Sequence, residues 1–192
     1  MTTLGEDWER QLKSIGADLE GHFLLTTGKH SSRFFMLARI SERPDLLQLW
    51  CEHLWKYLEP LGVKTFVGAA LGGVIPAYGM ASQAEGRALF AEKMPDGSMQ
   101  LYAGALQPGE PVIVIEDAVA TGSSIRKVMQ AIVNQHSRVA AIGAFVDRGS
   151  SIEWDVPFVS VVRLTQPVPM WDPADCPLCM ADIPLIRPKS QL

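Results

Sequence analysis

Two adjacent carboxylates, Glu116 and Asp117, stand between the apolar run Val112-Ile113-Val114-Ile115 and the segment Ala118-Val119-Ala120-Thr121-Gly122-Ser123-Ser124. Carboxylates accept hydrogen bonds from sugar hydroxyls. A turn of small residues that opens a helix presents backbone N–H groups to a phosphate and gains from the helix dipole. Thr121, Ser123 and Ser124 add hydroxyl donors for the same anion. Together these residue types describe a site for a ribose 5-phosphate, with its diol at the acids and its phosphate in the turn. An acidic pair before a capped helix is also an ordinary way to end a strand. The ordered run of thirteen positions from Val112 to Ser124 favours the ligand.

Such a site needs a strand before it and a helix after it, and the chain supplies both. Val112–Ile115 reads as a strand buried on both faces, and 124–135 carries helical spacing through Ile125, Val128, Met129 and Ile132. Upstream, 65–70 is a short apolar strand that ends in Leu71-Gly72-Gly73, a helix is expected over 74–84, and a strand over 87–92. The glycines let backbone N–H groups approach a polyanion without an intervening Cβ, or they simply make a tight strand–helix turn. Residues 94–98 have turn chemistry, and 99–103 would return as the second strand of a hairpin or flap. Further strands are expected over 139–146 and 158–162. Alternating strands and helices predict an α/β fold, a mostly parallel sheet with helices on both faces, whose ligands bind beyond the carboxyl ends of the strands. Before this core, a first helix is expected over 7–19, turns and an aromatic strand over 23–37, and an amphipathic helix over 44–58 carrying Leu46, Trp50, Leu54 and Leu58. Six prolines between Pro167 and Pro188 exclude a regular helix or central strand from the tail, which must wrap the surface or reach a neighbour.

Length and charge narrow the function classes. A chain of 192 residues with 47% hydrophobic content suits one domain with one core. A net charge of −4 offers no general positive field, so no nucleic-acid partner is expected. No apolar run has the length of a membrane span, and the first residues lack the basic and apolar parts of a secretion signal, so the expected location is cytoplasmic. Three cysteines make no disulfide framework. Cys51 reads as an inert core thiol. Cys176 and Cys179 form a single C-x-x-C pair, whereas a closed zinc site takes four ligands. His22, His53 and His136 show no metal spacing with the pair, so a turn with free thiols is expected.

The stretch from Val112 to Ser124 resembles the phosphoribosyl-pyrophosphate signature of the type I phosphoribosyltransferases. Segments 21–35, 68–74, 87–93 and 176–179 are similar to the orotate phosphoribosyltransferases and together reach across nearly the whole chain. The resemblance implies a small N-terminal hood over residues 1–40 that contributes base-binding residues, an α/β core over 62–165 and a Pro-rich tail over 166–192, all in one domain of 1–192. It implies a pentosyltransferase that makes orotidine 5′-phosphate and pyrophosphate from orotate and phosphoribosyl pyrophosphate, in the pyrimidine route to UMP. On that basis Glu116 and Asp117 bind the ribose hydroxyls, Ala120, Thr121, Gly122, Ser123 and Ser124 bind the 5-phosphate, and Leu71, Gly72 and Gly73 form the pyrophosphate loop. Phe34, Phe35 and Arg148 would hold orotate. Lys93, at the base of the flap, would act with Asp117 in catalysis. The resemblance further implies Mg²⁺ held mainly through the substrate rather than by protein ligands, and a homodimer.

The chain departs from the family pattern at Thr26 and Gly72, where many relatives carry lysines, and at Ala120, where many carry a threonine that contacts orotate. Its flap offers only Lys93, with Lys29, His30 and Arg33 as nearby cations that can compensate. Two other readings therefore stay open: a phosphoribosyltransferase for another base such as a purine, and a non-catalytic sensor of phosphoribosyl pyrophosphate.

Overall fold

The computed structural model describes residues 4–25, 27–102 and 104–188. Thr26, Ala103 and the ends of the hood and tail segments, 1–3 and 189–192, lie outside them. In chain order the elements are α1 (Leu4–Ser14), β1 (Asp18–Leu24), β2 (His30–Phe35), α2 (Ala38–Ser41), α3 (Pro44–Leu58), β3 (Thr65–Ala69), α4 (Val74–Gln83), β4 (Arg87–Lys93), β5 (Met99–Gln100), β6 (Pro111–Val119), α5 (Ser123–Asn134), β7 (Arg138–Asp147), β8 (Phe158–Arg163), β9 (Met170–Trp171) and α6 (Pro177–Met180).

The central sheet has the order β5-β4-β3-β6-β7-β8, parallel throughout except for the antiparallel edge strand β5. Its middle strands are apolar on both sides because both sides are covered. On β6, Ile113 and Ile115 pack into a core with Trp50, Leu54 and Leu58 of α3 and Ala77 and Met80 of α4. Val112 and Val114 point the other way, into a core with Ile125, Val128 and Ile132 of α5. Full burial of such side chains contributes about 1.5–3 kcal/mol each, so the two faces lock the strand's register. The α/β fold with a mostly parallel, two-sided sheet is as the alternation of elements required.

A second, three-stranded sheet has the order β1-β2-β9. Its first strand begins inside the segment expected to be helical. The first helix stops at Ser14, and Gly16 takes a left-handed φ of 69° that breaks the helix and turns the chain. Asp18, expected on the helix, instead starts β1 and is buried beside Arg33 of β2, whose Nε and Nη2 donate to its two oxygens at 2.6 Å. The tail wraps this sheet. β9 pairs with β2 at His30 and Ser31, and Ile186 exchanges backbone hydrogen bonds with His22 and Leu24. The tail's short α-helix begins at Pro177, a position where the missing N–H costs nothing.

Candidate functional site

The strand β6 continues through both acids to Val119, four residues beyond the run that announced it. Because side chains alternate along a strand, Glu116 faces the α5 side with Val114, and Asp117 faces the α4 side with Ile115. The two carboxylates therefore serve different turns. Glu116, only 7% exposed, lines a cavity of about 120 Å³ with Ala118, Ala120, Thr121, Gly122, Ser123 and Ser124. Asp117 lies against the loop before α4, where a Cβ built on Gly72 would stand 2.5 Å from Asp117 Oδ2. At Gly72, where the family pattern has a lysine, the carboxylate as placed occupies the space of a Cβ. Asp117 N–H donates to Glu116 Oε1 at 3.2 Å, and Ala118 N–H donates to Asp117 Oδ1 at 2.7 Å. Burial, and secondly the charge of Asp117, hold the Glu116 carboxyl well above the usual carboxylate range.

The turn from Ala120 to Ser124 opens α5. Gly122 sits at a left-handed φ of 68°, and a Cβ there would also approach Trp154 and Ile152 within 2.7–2.8 Å. Two constraints thus select glycine at this point. The hydroxyl-bearing residues Thr121, Ser123 and Ser124 are exposed, and no side chain caps the helix. The free first-turn N–H groups of α5 and the hydroxyls form a concave donor surface with Glu116 at its edge.

The loop between β3 and α4 contains a cis Ala70–Leu71 peptide, exposes the Leu71 side chain and buries Gly73. Gly73 N–H donates to Ala69 C=O at 2.9 Å and Val74 N–H to Leu71 C=O at 3.2 Å. Lys93 is exposed at the carboxyl end of β4, two strands from β6. The turn beyond it is ordered by Asp96, which accepts from Ser98 N–H and Oγ–H, and is tied to α5 by Lys127 Nζ–H donating to Gly97 C=O at 2.6 Å. Lys127 was not singled out from the sequence, since helix-borne lysines usually face solvent.

Phe35 and Arg148 meet above the end of β6. Arg148 N–H donates to Val119 C=O at 2.8 Å, which sets the arginine beside the turn from Ala120 to Ser124. Its guanidinium carbon lies 5.5 Å from the Phe35 ring centre, and that of Arg33 lies 4.9 Å from the same ring. Arg148 Nε is buried without a hydrogen-bond partner, and burial, then the charge of Arg33, lower its pKa from the usual arginine value. A half-buried cationic fork beside an aromatic face suits a flat anion. Phe34 points elsewhere and packs on Phe23 with ring centres 5.8 Å apart.

The three cations expected to compensate for the sparse flap fare differently. Arg33 reaches the pocket but shares its charge with Asp18. Lys29 pairs with Asp172 at 3.5 Å. His30 is turned away and buried with His22 at the cysteine pair. This corrects the expectation that no histidine accompanies Cys176 and Cys179: pairing of β1 with β2 and wrapping of the tail bring together residues that spacing along the chain does not associate. A larger cavity, about 610 Å³, lies between β5 and the outer side of α5, lined by Met99, Leu101, Lys127 and Gln130 among others, away from the acids.

No protein-family model matches the chain. The orotate phosphoribosyltransferase of Thermotoga maritima is 42% identical over 182 residues, covering 94% of this chain and 96% of that protein. The protein of the same name from Pelotomaculum thermopropionicum is 39% identical over 93% of this chain and 94% of its own length. Among solved structures, the orotate phosphoribosyltransferase of Aeropyrum pernix superimposes with a TM-score of 0.70 at 25% identity, covering 81% of this chain and 93% of that one.

Proposed function

This chain belongs to the orotate phosphoribosyltransferase family, and we propose that it joins orotate to phosphoribosyl pyrophosphate at the carboxyl end of β6, in pyrimidine nucleotide synthesis. The observation that carries the site assignment is the division of the acid pair, with Glu116 at the phosphate turn and Asp117 at the glycine loop. One sugar bound across the strand end would then place its 5-phosphate at Ala120 to Ser124 and its pyrophosphate at Leu71 to Gly73.

In the reaction, a ring nitrogen of orotate gives up its proton to solvent and forms a bond to the anomeric carbon as the bond to the pyrophosphate oxygen breaks, and the leaving group takes the electron pair. Positive charge grows on the sugar between them. Asp117, held against Gly72, lies where it stabilises that charge and orients a ribose hydroxyl. Phe35 supplies a flat wall for the orotate ring, and Arg148 supplies two-point recognition of an anionic edge. Phe34, the neighbouring residue on the strand, packs on Phe23. Lys93 adds a cation toward the departing pyrophosphate.

Among the described residues the acids at the site do not converge into a cluster of three. That donor set suits Mg²⁺ bound mainly through phosphate oxygens and water, with the hard oxygens of Asp117 adjoining it; when bound, the ion neutralises the leaving group. The family uses phosphoribosyl pyrophosphate, and magnesium dependence, a homodimer and a cytoplasmic setting belong to the same proposal. No helix among the described residues is long and apolar enough to cross a membrane. Residues 1–40 act as a hood over the base, 62–165 as the catalytic core, and 166–192 as a tail that braces the hood within one domain.

The test is base consumption by the purified chain with Mg²⁺ and phosphoribosyl pyrophosphate, offered orotate, hypoxanthine, xanthine, adenine or uracil separately. Orotate alone should be consumed. Turnover of a purine in its place, or binding of phosphoribosyl pyrophosphate with no turnover of any base, overturns the reading.

A further inference from the structure

The hood and the tail meet at four side chains that the phosphoribosyl site does not use. His22 of β1, His30 of β2, and Cys176 and Cys179 of the one-turn helix α6 direct one ligand atom each to a common point, all within 4.8 Å of one another. His22, His30 and Cys176 are buried, and Cys179 closes the cluster at its partly exposed edge. The cluster draws on residues about 150 positions apart in the chain.

Four of the six separations among these atoms have about the size of a tetrahedron's edges. Bond lengths of about 2.0–2.1 Å from zinc to nitrogen and 2.3 Å to sulfur give edges of roughly 3.3 Å between two nitrogens and 3.5 Å between nitrogen and sulfur. The structure has His22 Nε2 to His30 Nδ1 at 2.9 Å, His22 Nε2 to Cys176 Sγ at 3.5 Å, His22 Nε2 to Cys179 Sγ at 3.7 Å and His30 Nδ1 to Cys179 Sγ at 3.2 Å. The protonation pattern agrees. His22 Nδ1 lies 2.7 Å from the Ile183 carbonyl, an acceptor only, so this nitrogen carries the ring proton and a neutral His22 turns a bare lone pair on Nε2 toward the cluster. A backbone carbonyl on the far nitrogen is the usual way a liganding imidazole is oriented.

The group is crowded for ordinary hydrogen bonding. His30 Nδ1, Cys176 Sγ and Cys179 Sγ all stand within reach of His22 Nε2, whose single lone pair accepts from one donor, and Cys179 Sγ competes for His30 Nδ1 as well. A divalent cation resolves the conflict by accepting from all four atoms. With two thiolates and two neutral imidazoles it also makes a site of zero net charge, the kind that a largely buried position tolerates.

We propose that His22, His30, Cys176 and Cys179 bind one Zn²⁺ in a closed, structural site that fastens the proline-rich tail to the hood. Two sulfur and two nitrogen donors in tetrahedral array select zinc over the hard, oxygen-seeking magnesium of the reaction. All four positions are taken by protein, which leaves none for substrate or water and gives the ion no part in the transfer.

The full chain, produced with zinc in the medium and purified without chelators or an affinity tag, should carry about one zinc per chain by elemental analysis. Exchange of zinc for Co²⁺ should give the visible bands of tetrahedral cobalt with a thiolate charge-transfer band. Cys176→Ser, Cys179→Ser, His22→Gln and His30→Gln should each abolish both signals, and Cys51→Ala should keep them. If the variants fold poorly, the wild-type metal content and cobalt spectrum decide alone. Absence of zinc with free thiols, a Cys176–Cys179 disulfide in place of metal, or zinc retained by folded variants overturns the proposal. Orotate turnover is measured separately, so failure of the zinc site and failure of the assigned reaction are told apart.

Discussion

The molecule treats its polar side chains in opposite ways at two places. At the end of β6, hydroxyls and helix-terminal N–H groups face outward, one carboxylate sits in a small open cavity, and a buried arginine nitrogen has no protein partner. At the junction of hood and tail, four polar side chains turn inward on one another and leave one thin edge open. The first arrangement costs stability while empty, because donors and charges are held desolvated without partners. The second returns stability only when a single ion occupies it permanently. A site for a visiting ligand and a site for a resident one can thus be told apart by where their unspent hydrogen bonds point.

The strongest way to break this contrast is to remove a resident-site ligand. Cys176→Ser should lower Tm by about 10 °C, as the loss of some 3–4 kcal/mol does at this chain length. The value of kcat at 25 °C should stay within about twofold, because no position on the ion is open to substrate. A scanning calorimetry trace with an unchanged Tm would merge the two regions into one class.

Asp117→Asn should do the reverse. Losing a charge placed for the transition state lowers kcat/KM by about 10²–10³-fold, and the nearly isosteric side chain should leave Tm within about 2 °C. Steady-state kinetics with each substrate varied in turn checks this. Arg148→Ala should act more narrowly, raising KM for orotate by about 10–100-fold, the range of a lost charged hydrogen bond, with KM for phosphoribosyl pyrophosphate little changed. Equal effects on both substrates would remove the arginine from the base pocket.

The smallest effect is the most direct on energetics. Folding raises the Glu116 pKa, chiefly through burial. Above the ordinary carboxylate range, the folded chain therefore holds a proton that the unfolded chain has released, and stability falls as pH rises toward the folded pKa. Glu116→Gln should flatten that slope and raise Tm by a few degrees at pH 8 while lowering activity. Thermal melts of both proteins across pH would show the slopes diverge, or place Glu116 among ordinary surface acids if they coincide.

The geometry proposed to hold ribose phosphate was legible because its acids, turn and helix start are contiguous, so local chemistry carried the geometry with it. Alternation even divides Glu116 from Asp117 once both lie on one strand, which the end expected at Ile115 had obscured. The pocket roles of Phe35 and Arg148 came from resemblance, since neither residue alone differs from a core aromatic and a surface cation. The histidine and cysteine cluster was out of reach for a physical reason. Which side chains of β1 face inward depends on an irregularity between Glu20 and Phe23, and a one-residue shift there would turn His22 to the other face. Gly16 held the missed signal for the end of the first helix, and Arg33 the missed partner that draws Asp18 inward.

The contact between Gly72 and Asp117 also limits the routes open to this sequence. Any residue but glycine at position 72 begins with a Cβ in the space of the carboxylate. A lysine installed there therefore arrives together with a new position of the Asp117 carboxylate. Grafting it in the laboratory would turn the acid aside, because the close atoms all belong to the tip of the Asp117 side chain; the substitution would then be felt first as a lost hydrogen bond from Ala118 N–H to Asp117 Oδ1.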